Sequence, residues 1–406
     1  MLGLSLVCPL EDDWRDAIDA VAAARGWPTT RDVATLGKCV SALSAAYNDP
    51  ARARASAREA GAARLGFSFA RDVPKGAGAV RELVATGTLR LNGGTLRVLD
   101  LGAGFGATTW GVVRALEASG ASGTVEATWV DADAVALDVA SAVVKERALR
   151  QARLRLLVRT VARSALRSLD DLGEFDLVLA GQLLSELGVG TEGDVRLAML
   201  VERVSSWLAR NTRSSGTLVV VEPALRDRTR TLHRVRDALA SRPEVTIFAP
   251  CLHAIGCPAL ARESDWCHED LDVDLPAWLT PVAHAAGLRR EGLTFSYLVL
   301  RKDGVRLGDR LELQGFAPLR VVSRTIRSKG KLEALLCGGP VRCKAMRLDR
   351  EAEPGNAAWD TILRGEVIGA ELEADPKRPG ADLMRLRGRV RLLDAIAPPE
   401  ESAETR

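Results

Sequence analysis

Apolar residues recur at helical spacing through the first ninety residues of the chain. Trp14, Ile18, Val21 and Ala22 share one helical face, and so do Val33, Leu36, Val40 and Leu43. Asn48-Asp49-Pro50 breaks that pattern, and a further helix is predicted from Ala79 to Thr86. From Leu96 the period changes. TLRVLDL, EATWVDAD, RLRLLVRTV, EFDLVLAG and GTLVVVEPAL are short apolar runs that predict strands. TTWGVVRALEAS, AVALDVASAVVKERAL and the basic stretch Arg226 to Arg242 predict helices among them. Such alternation builds a doubly wound, mostly parallel sheet. LTFSYLVLRK at 293–302 adds a late strand, and residues 246–290 show little periodicity. Beyond residue 305, LRVVSRTI, KLEALLC, VRCKAMRL, LRGEVIGAEL and LMRLRGRVRLL read as short strands joined by turns.

Composition narrows the class. A chain of 406 residues with 47% hydrophobic content has material for two or three globular domains. No apolar run approaches the roughly 20 residues of a membrane span. The apolar start MLGLSLVCPL meets acids too soon for a signal peptide, so a cytoplasmic protein without membrane contact is expected, and a monomer. A net charge of +3 gives no global field, but charge is clustered. Residues 301–350 hold 13 Lys/Arg against five Asp/Glu, and Lys145 to Arg167 holds eight basic residues and one acid.

The segment Asp100-Leu101-Gly102-Ala103-Gly104-Phe105-Gly106 follows a predicted strand and opens a helix. Glycines let the backbone turn tightly against a ligand, and a helix N-terminus offers unpaired N–H groups. The same segment scans as GxGxxA with Ala107, a dinucleotide-fold variant. Asp100 before the first glycine, and Asp131 (or Asp133) ending the next strand, favour S-adenosylmethionine, with Asp131 bonding ribose hydroxyls. The predicted fold is therefore α/β: a methyltransferase-type doubly wound sheet at 91–304 with a cysteine-bearing insertion at 246–290. It follows a helical N-terminal region at 1–90 and precedes a small C-terminal β domain at 305–396 and a disordered tail at 397–406. After the fourth strand, Gln182, Ser185 and Glu186 stand where catalytic motifs sit, but the simpler reading is a capped helix start. Glu222 and Pro223 end the fifth strand and are expected to border the cofactor pocket, and no residue stands out as a catalytic base.

Cysteine is sparse yet concentrated. Cys251, Cys257 and Cys267 fall in FAPCLHAIGCPALARESDWCH, and Cys337 and Cys343 follow in LLCGGPVRCKAM. In a reducing compartment such clustering favours metal over disulfides. Four thiolates suit zinc or an iron–sulfur cluster. The lack of paired CxxC knuckles lowers the case for zinc, while His253 and His268 keep a three-cysteine, one-histidine zinc site open. Cys8 and Cys39 are read as ordinary unligated thiols.

VLDLGAGFGATTW, DLVLAGQLLSEL, APC-x5-CP at Ala249 to Pro258, Asp265-Trp266-Cys267-His268, Phe295-Ser296-Tyr297-Leu298 and LLCGGP resemble one family over roughly residues 90–345. It is the mitochondrial-type small-subunit ribosomal assembly factors of the Rsm, methyltransferase-like group, with bacterial relatives. The resemblance implies a [4Fe–4S] cluster on Cys251, Cys257, Cys267 and Cys337, S-adenosylmethionine binding, and association with small-subunit ribosomal RNA. The gap before Cys267 is longer than the family's, and Trp359-Asp360 stands in place of Trp-Gly-Asp. Two basic groups accord with RNA independently: Arg320, Arg324, Arg327, Lys329 and Lys331, and the helix bearing Arg226, Arg228, Arg230, Arg234 and Arg236. Two alternatives are an active S-adenosylmethionine-dependent rRNA methyltransferase and a zinc-containing small-molecule methyltransferase.

Overall fold

The computed structural model of the protein describes residues 2–48, 55–148, 153–191, 193–288, 292–339, 342–376 and 382–396. The predicted break at Asp49-Pro50 and the tail at 397–406 lie outside the described residues.

Helices α1 (Asp12–Ala24), α2 (Val33–Asn48), α3 (Ala57–Ala63) and α4 (Ala70–Ala85) come first, with a π-helical segment, Arg64–Phe69, leading into α4. Helix α4 is twice the length predicted from Ala79. Pro74 lies within it, and Gly76 and Gly78 look like breakers in the sequence. They are contact points instead. A Cβ on Gly76 would stand 2.6 Å from the Thr108 carbonyl oxygen, and one on Gly78 would stand 2.6 Å from the Phe295 ring. The glycines thus let α4 lie close against the rest of the domain.

The alternating region follows as β1 (Asn92–Leu101), α5 (Ala107–Ala118), β2 (Ser122–Asp131), α6 (Ala134–Ala148), β3 (Leu154–Ala162), β4 (Phe175–Gly181), α7 (Gly193–Asn211), β5 (Thr212–Glu222), α8 (Arg226–Ala240) and β6 (Thr246–Ala249). Next come β7 (Glu269–Leu271), α9 (Thr280–Ala285) and β8 (Leu293–Arg301). The sheet order is β3-β2-β1-β4-β5-β8-β6, with β7 paired to β8. The strands β1 to β5 are parallel, and β8 runs antiparallel between β5 and β6. This is the methyltransferase-type sheet that the alternation predicts. The first four residues of the expected insertion, Thr246–Ala249, are its edge strand. One apolar core packs α1 to α6 on the sheet, and a second packs α7 and α8 on the opposite face.

The C-terminal strands are β9 (Leu319–Val321), β10 (Ile326–Ser328), β11 (Lys331–Cys337), β12 (Arg342–Leu348), β13 (Val367–Ala374) and β14 (Leu383–Leu392). Their order is β10-β11-β12-β14-β13-β9, and β9 pairs back onto β11, so five strands close into a small barrel. Its core includes Leu336, Ile368 and Trp359, whose Nε1 donates to the Leu332 carbonyl at 3.2 Å. Among the described residues no helix is long and apolar enough to cross a membrane.

Candidate functional site

The glycine loop is built locally. Gly102, Gly104 and Gly106 take φ of 65°, 52° and 81°, the left-handed region that side chains disfavour. The Gly102 N–H donates to the Val130 carbonyl at 2.8 Å, and the Gly104 N–H donates to Asp131 Oδ2 at 2.8 Å. A Cβ on Gly106 would stand 2.6 Å from the Trp129 ring, whereas one on Gly104 would meet nothing within 4 Å. The loop is therefore packed on one side and open on the other. Asp100 lies beneath it, 1% exposed, accepting from Thr109 N at 3.2 Å and Thr109 Oγ1 at 2.6 Å. It ties the loop to the first turn of α5 and does not reach the open side. Burial pushes its pKa up to about 7.

Beside the loop, residues 184–190 form a turn, and the expected helix start moves to Gly193. Gln182 has φ 57°, rare for a residue with a side chain. Its backbone N–H donates to the Val221 carbonyl at 2.6 Å, and its Nε2 donates to Asp72 Oδ2 at 2.9 Å. Asp72 also pairs with Lys75 at 2.7 Å and Arg71 at 3.2 Å. Burial opposes ionisation of Asp72, but those two cations hold it well below the usual carboxylate range. Glu222 Oε1 accepts from Leu184 N at 2.8 Å. Its Oε2 is buried without a partner among the described residues, and burial pushes its pKa up to about 7.

The cysteines meet at the junction of the main sheet and the barrel. Cys251, Cys257, Cys267 and Cys337 all line one cavity, and Cys343 does not. Burial first, and then the neighbouring Cys251, push the thiols of Cys257 and Cys337 up to about 12 and that of Cys267 up to about 11. Burial also raises Cys343, but the charge acting on it is Asp382. Thiols held this high stay protonated at neutral pH unless a cation displaces the proton. Arg236, Arg320 and Arg342 stand in the same wall, and its carboxylate, Glu269, is committed to Arg81 at 2.8 Å. Four sulfurs in a cationic wall suit a centre that is negative once its cysteines are ionised. Among the described residues, no three Cys, His, Asp or Glu side chains are already drawn around a single ion.

Residues 94–350 match the family described as mitochondrial small ribosomal subunit Rsm22. The chain belongs to the Rsm22 family. The matched stretch opens in β1 and reaches past β12, taking in the glycine loop and all four junction cysteines. No curated protein sequence matches. Solved structures similar to this Rsm22 chain include a putative class I S-adenosylmethionine-dependent methyltransferase from Listeria monocytogenes. It shows 14% identity and TM-score 0.39 over 72% of this chain and 88% of that one. Others are the plantazolicin methyltransferase BpumL in complex with SAH (10% identity, TM-score 0.34, 67% of this chain and 98% of that one) and TrmN from Thermus thermophilus (17% identity, TM-score 0.31, 57% and 52%).

One expected RNA contact in this Rsm22 chain is corrected. Arg320 is 3% exposed and does not face solvent. Its Nη1 donates to Glu82 Oε1 at 2.7 Å and to the Gly365 carbonyl at 2.9 Å, and its Nε donates to the Pro250 carbonyl at 2.6 Å. Tyr297 Oη also donates to Glu82, at 2.9 Å. Burial works against the Glu82 charge, yet Arg320 and Arg81 hold its pKa below normal. Arg324, Arg327 and Lys329 are exposed, and Lys331 is half-buried beside Glu333 at 2.9 Å.

The basic helix is likewise divided. Arg230 Nη1 donates to the carbonyls of Ala259, Arg262 and Asp265, at 3.2, 2.7 and 2.7 Å. Arg236 donates to those of His253 and Ile255. These two arginines grip the cysteine segment, while Arg226 and Arg234 are exposed. Sequence reasoning missed that grip and the Arg81–Glu82 pair. The latter had a signal: two adjacent charges inside the apolar run GAVRELVA.

Proposed function

We propose that this chain is a small ribosomal subunit assembly factor with a methyltransferase fold. In this reading it binds S-adenosylmethionine at Gly102, Gly104, Gly106 and Asp131, and Asp100 secures the loop from below. It holds a [4Fe–4S] cluster on Cys251, Cys257, Cys267 and Cys337. It docks on small-subunit ribosomal RNA through Arg324, Arg327 and Lys329. The observation that carries the proposal is the gathering of four cysteines, drawn from two regions of the chain, into one cavity that excludes Cys343.

The cluster, when bound, would supply a covalent tie between the 251–267 segment and β11. The chain's own residues do the rest. Arg230 and Arg236 hold the segment's carbonyls, and Arg320 ties Pro250 to the barrel. Among the described residues, the exposed Arg324 and Arg327 make only long ion pairs, to Asp270 at 3.3 Å, Asp349 at 3.6 Å and Asp360 at 3.4 Å. Pairs of that kind are worth little, so a phosphate can take the place of the carboxylate. Membership of a small-ribosomal-subunit family supports the partner.

A second reading, an active rRNA methyltransferase, is favoured by one observation. Gln182 is held in a strained conformation, which costs about 1–3 kcal/mol, at the strand end beside the loop. Binding to a small-subunit rRNA fragment, titrated against salt, tests the partner. The expected result is affinity that falls with salt along a slope made shallower by Arg324→Gln and Arg327→Gln. Salt-independent or absent binding would remove RNA from the proposal. Transfer of label from S-adenosylmethionine to that fragment, abolished by Gln182→Ala, would establish the second reading.

A further inference from the structure

The basic stretch from Lys145 to Arg167 takes no part in the glycine loop or the cysteine junction. One of its arginines is structural. Arg147 is buried, pairs with Asp13 at 2.6 Å and lies over the Trp14 ring at 4.1 Å. Arg150 lies outside the described residues. Those that follow gather around β3, an edge strand of the main sheet.

Alternation divides β3 into two faces. Leu154 and Leu156 are buried, and Val158 packs beside them on the core that holds α5 and α6. Arg155, Leu157 and Arg159 point the other way and are exposed. That second face has no helix over it. The connection from β3 to β4, residues 163–174, supplies only the three-residue 3-10 turn Asp170–Leu172, while α7 and α8 lie against β4, β5 and β6. Leu157 is left 46% exposed as a result. Glu126, opposite Leu157 on β2, is the acid on this face. Among the described residues Arg155 has no side-chain partner, and Arg159 donates only to Thr128 Oγ1, at 3.3 Å.

Beyond the strand the charge continues into a cavity of about 380 Å³, set between residues 166–170 and the C-terminal half of α7. Arg167, Ser168, Arg203, Ser206 and Arg210 line it. Arg163 joins the cavity to the strand: it pairs with Asp171 at 2.6 Å and donates to the Ser168 carbonyl at 3.2 Å. Asp170 answers Arg210 at 2.8 Å, but Arg167 and Arg203 have no acidic partner among the described residues. Guanidinium and hydroxyl donors are groups that hold phosphate oxygens. Trp207, in the cavity wall, is only 2% exposed, so no aromatic face is offered to a base.

Building on the RNA reading above, we propose that the uncovered face of β3 and the adjoining cavity form a second docking surface for the phosphate backbone of RNA, separate from the arginines of the barrel. The strand order sets the separation. β3 and β6 are the two edges of the sheet, and the barrel residue Arg320 bonds the carbonyl of Pro250, just after β6. Strand spacings of about 4.8 Å across that order put about 29 Å between the edges. Phosphates held at one surface therefore do not compete with those held at the other, and the two contributions add.

The test repeats the salt titration with the full chain and the same small-subunit rRNA fragment. It compares the wild type, an Arg155→Gln, Arg167→Gln, Arg203→Gln variant and an Arg155→Lys, Arg167→Lys, Arg203→Lys variant. These side chains lose no ion pair among the described residues, so the denaturation midpoint should hold. Each phosphate contact contributes about 0.7–0.9 to the slope of log affinity against log salt. The glutamine variant should have a slope shallower by about 2–3, and the lysine variant, which keeps the charge, should match the wild type. Adding Arg324→Gln and Arg327→Gln should flatten the slope of the glutamine variant further. A glutamine variant as steep as a salt-sensitive wild type overturns the second surface and leaves the barrel contacts standing. So does a lysine variant as shallow as the glutamine one, because the loss is then not one of charge. No further flattening in the combined variant overturns the separation of the two surfaces. A wild type that binds without salt dependence, or not at all, removes RNA from both.

Discussion

The glycine loop and the cysteine junction are held by opposite means. The loop is made by neighbours: Asp100, Thr109, Trp129 and Asp131 lie within about thirty residues, and its geometry comes from backbone N–H groups and three left-handed glycines. The junction is made by strangers. Glu82 from α4, Glu269 from β7, Tyr297 from β8 and Arg320 from β9 meet around one buried set of charges next to Pro250. A loop of the first kind forms once β1, α5 and β2 have come together. The second kind exists only when the helical region, the sheet and the barrel are all in place, so it reports on assembly of the whole chain.

The largest effect separates the two directly. Glu82→Ala or Arg320→Ala leaves the opposite charge buried and short of a partner, at a cost of about 3–5 kcal/mol. The denaturation midpoint should drop accordingly, and a Glu82→Met, Arg320→Met double variant should recover most of the loss. Single variants that cost less than about 1 kcal/mol would mean that the junction is held by apolar packing instead.

Within the loop, Gly106→Ala and Gly104→Ala sharpen the contrast between its packed and open sides. Gly106→Ala forces a methyl group into the Trp129 ring and should cost about 1–3 kcal/mol. Gly104→Ala has room, so only its backbone strain counts, about 1–2 kcal/mol. Both should weaken S-adenosylmethionine binding in equilibrium dialysis. If Gly104→Ala binds as the wild type does, the open side is not where the ligand lies.

A smaller effect concerns pH. Burial holds the Asp100 pKa up at about 7 in the folded state, against 3.8 for a solvent-exposed aspartate. Between those values the folded state holds the proton more tightly, so the group's contribution to stability falls as pH rises. His233 and His268, each lowered to about 4 by burial, act the other way up to their unfolded pKa. The difference between wild type and Asp100→Asn isolates the carboxyl. The advantage of the asparagine variant should grow from pH 4 to pH 7 and then level off. A difference that does not change with pH would place the Asp100 pKa in the ordinary range.

Much of the sheet was legible because its strands are continuous apolar runs and its loop is a contiguous motif. Most barrel strands were legible from a different local signal, the alternation in KLEALLC and VRCKAMRL, but LRVVSRTI, expected as one strand, is split into β9 and β10, which pair at different places along β11. Helix α4 was read short because Pro74, Gly76 and Gly78 carry a breaker's composition, while their role depends on Thr108 and Phe295, which lie far along the chain. The role of Arg320 was misread because clustered charge looks the same in sequence whether it meets solvent or Glu82. The same holds for Arg230 and Arg236, whose partners are backbone carbonyls that no residue identity reveals.

The central claim is that four cysteines, and not the fifth beside them, hold one centre. Anaerobic purification with iron, sulfide and zinc analysis of the wild type, Cys337→Ser and Cys343→Ser tests it most directly. The account predicts about four iron and four sulfide per chain in the wild type and in Cys343→Ser, and loss of both in Cys337→Ser. Stoichiometric zinc without sulfide, or iron lost equally in both variants, would contradict it.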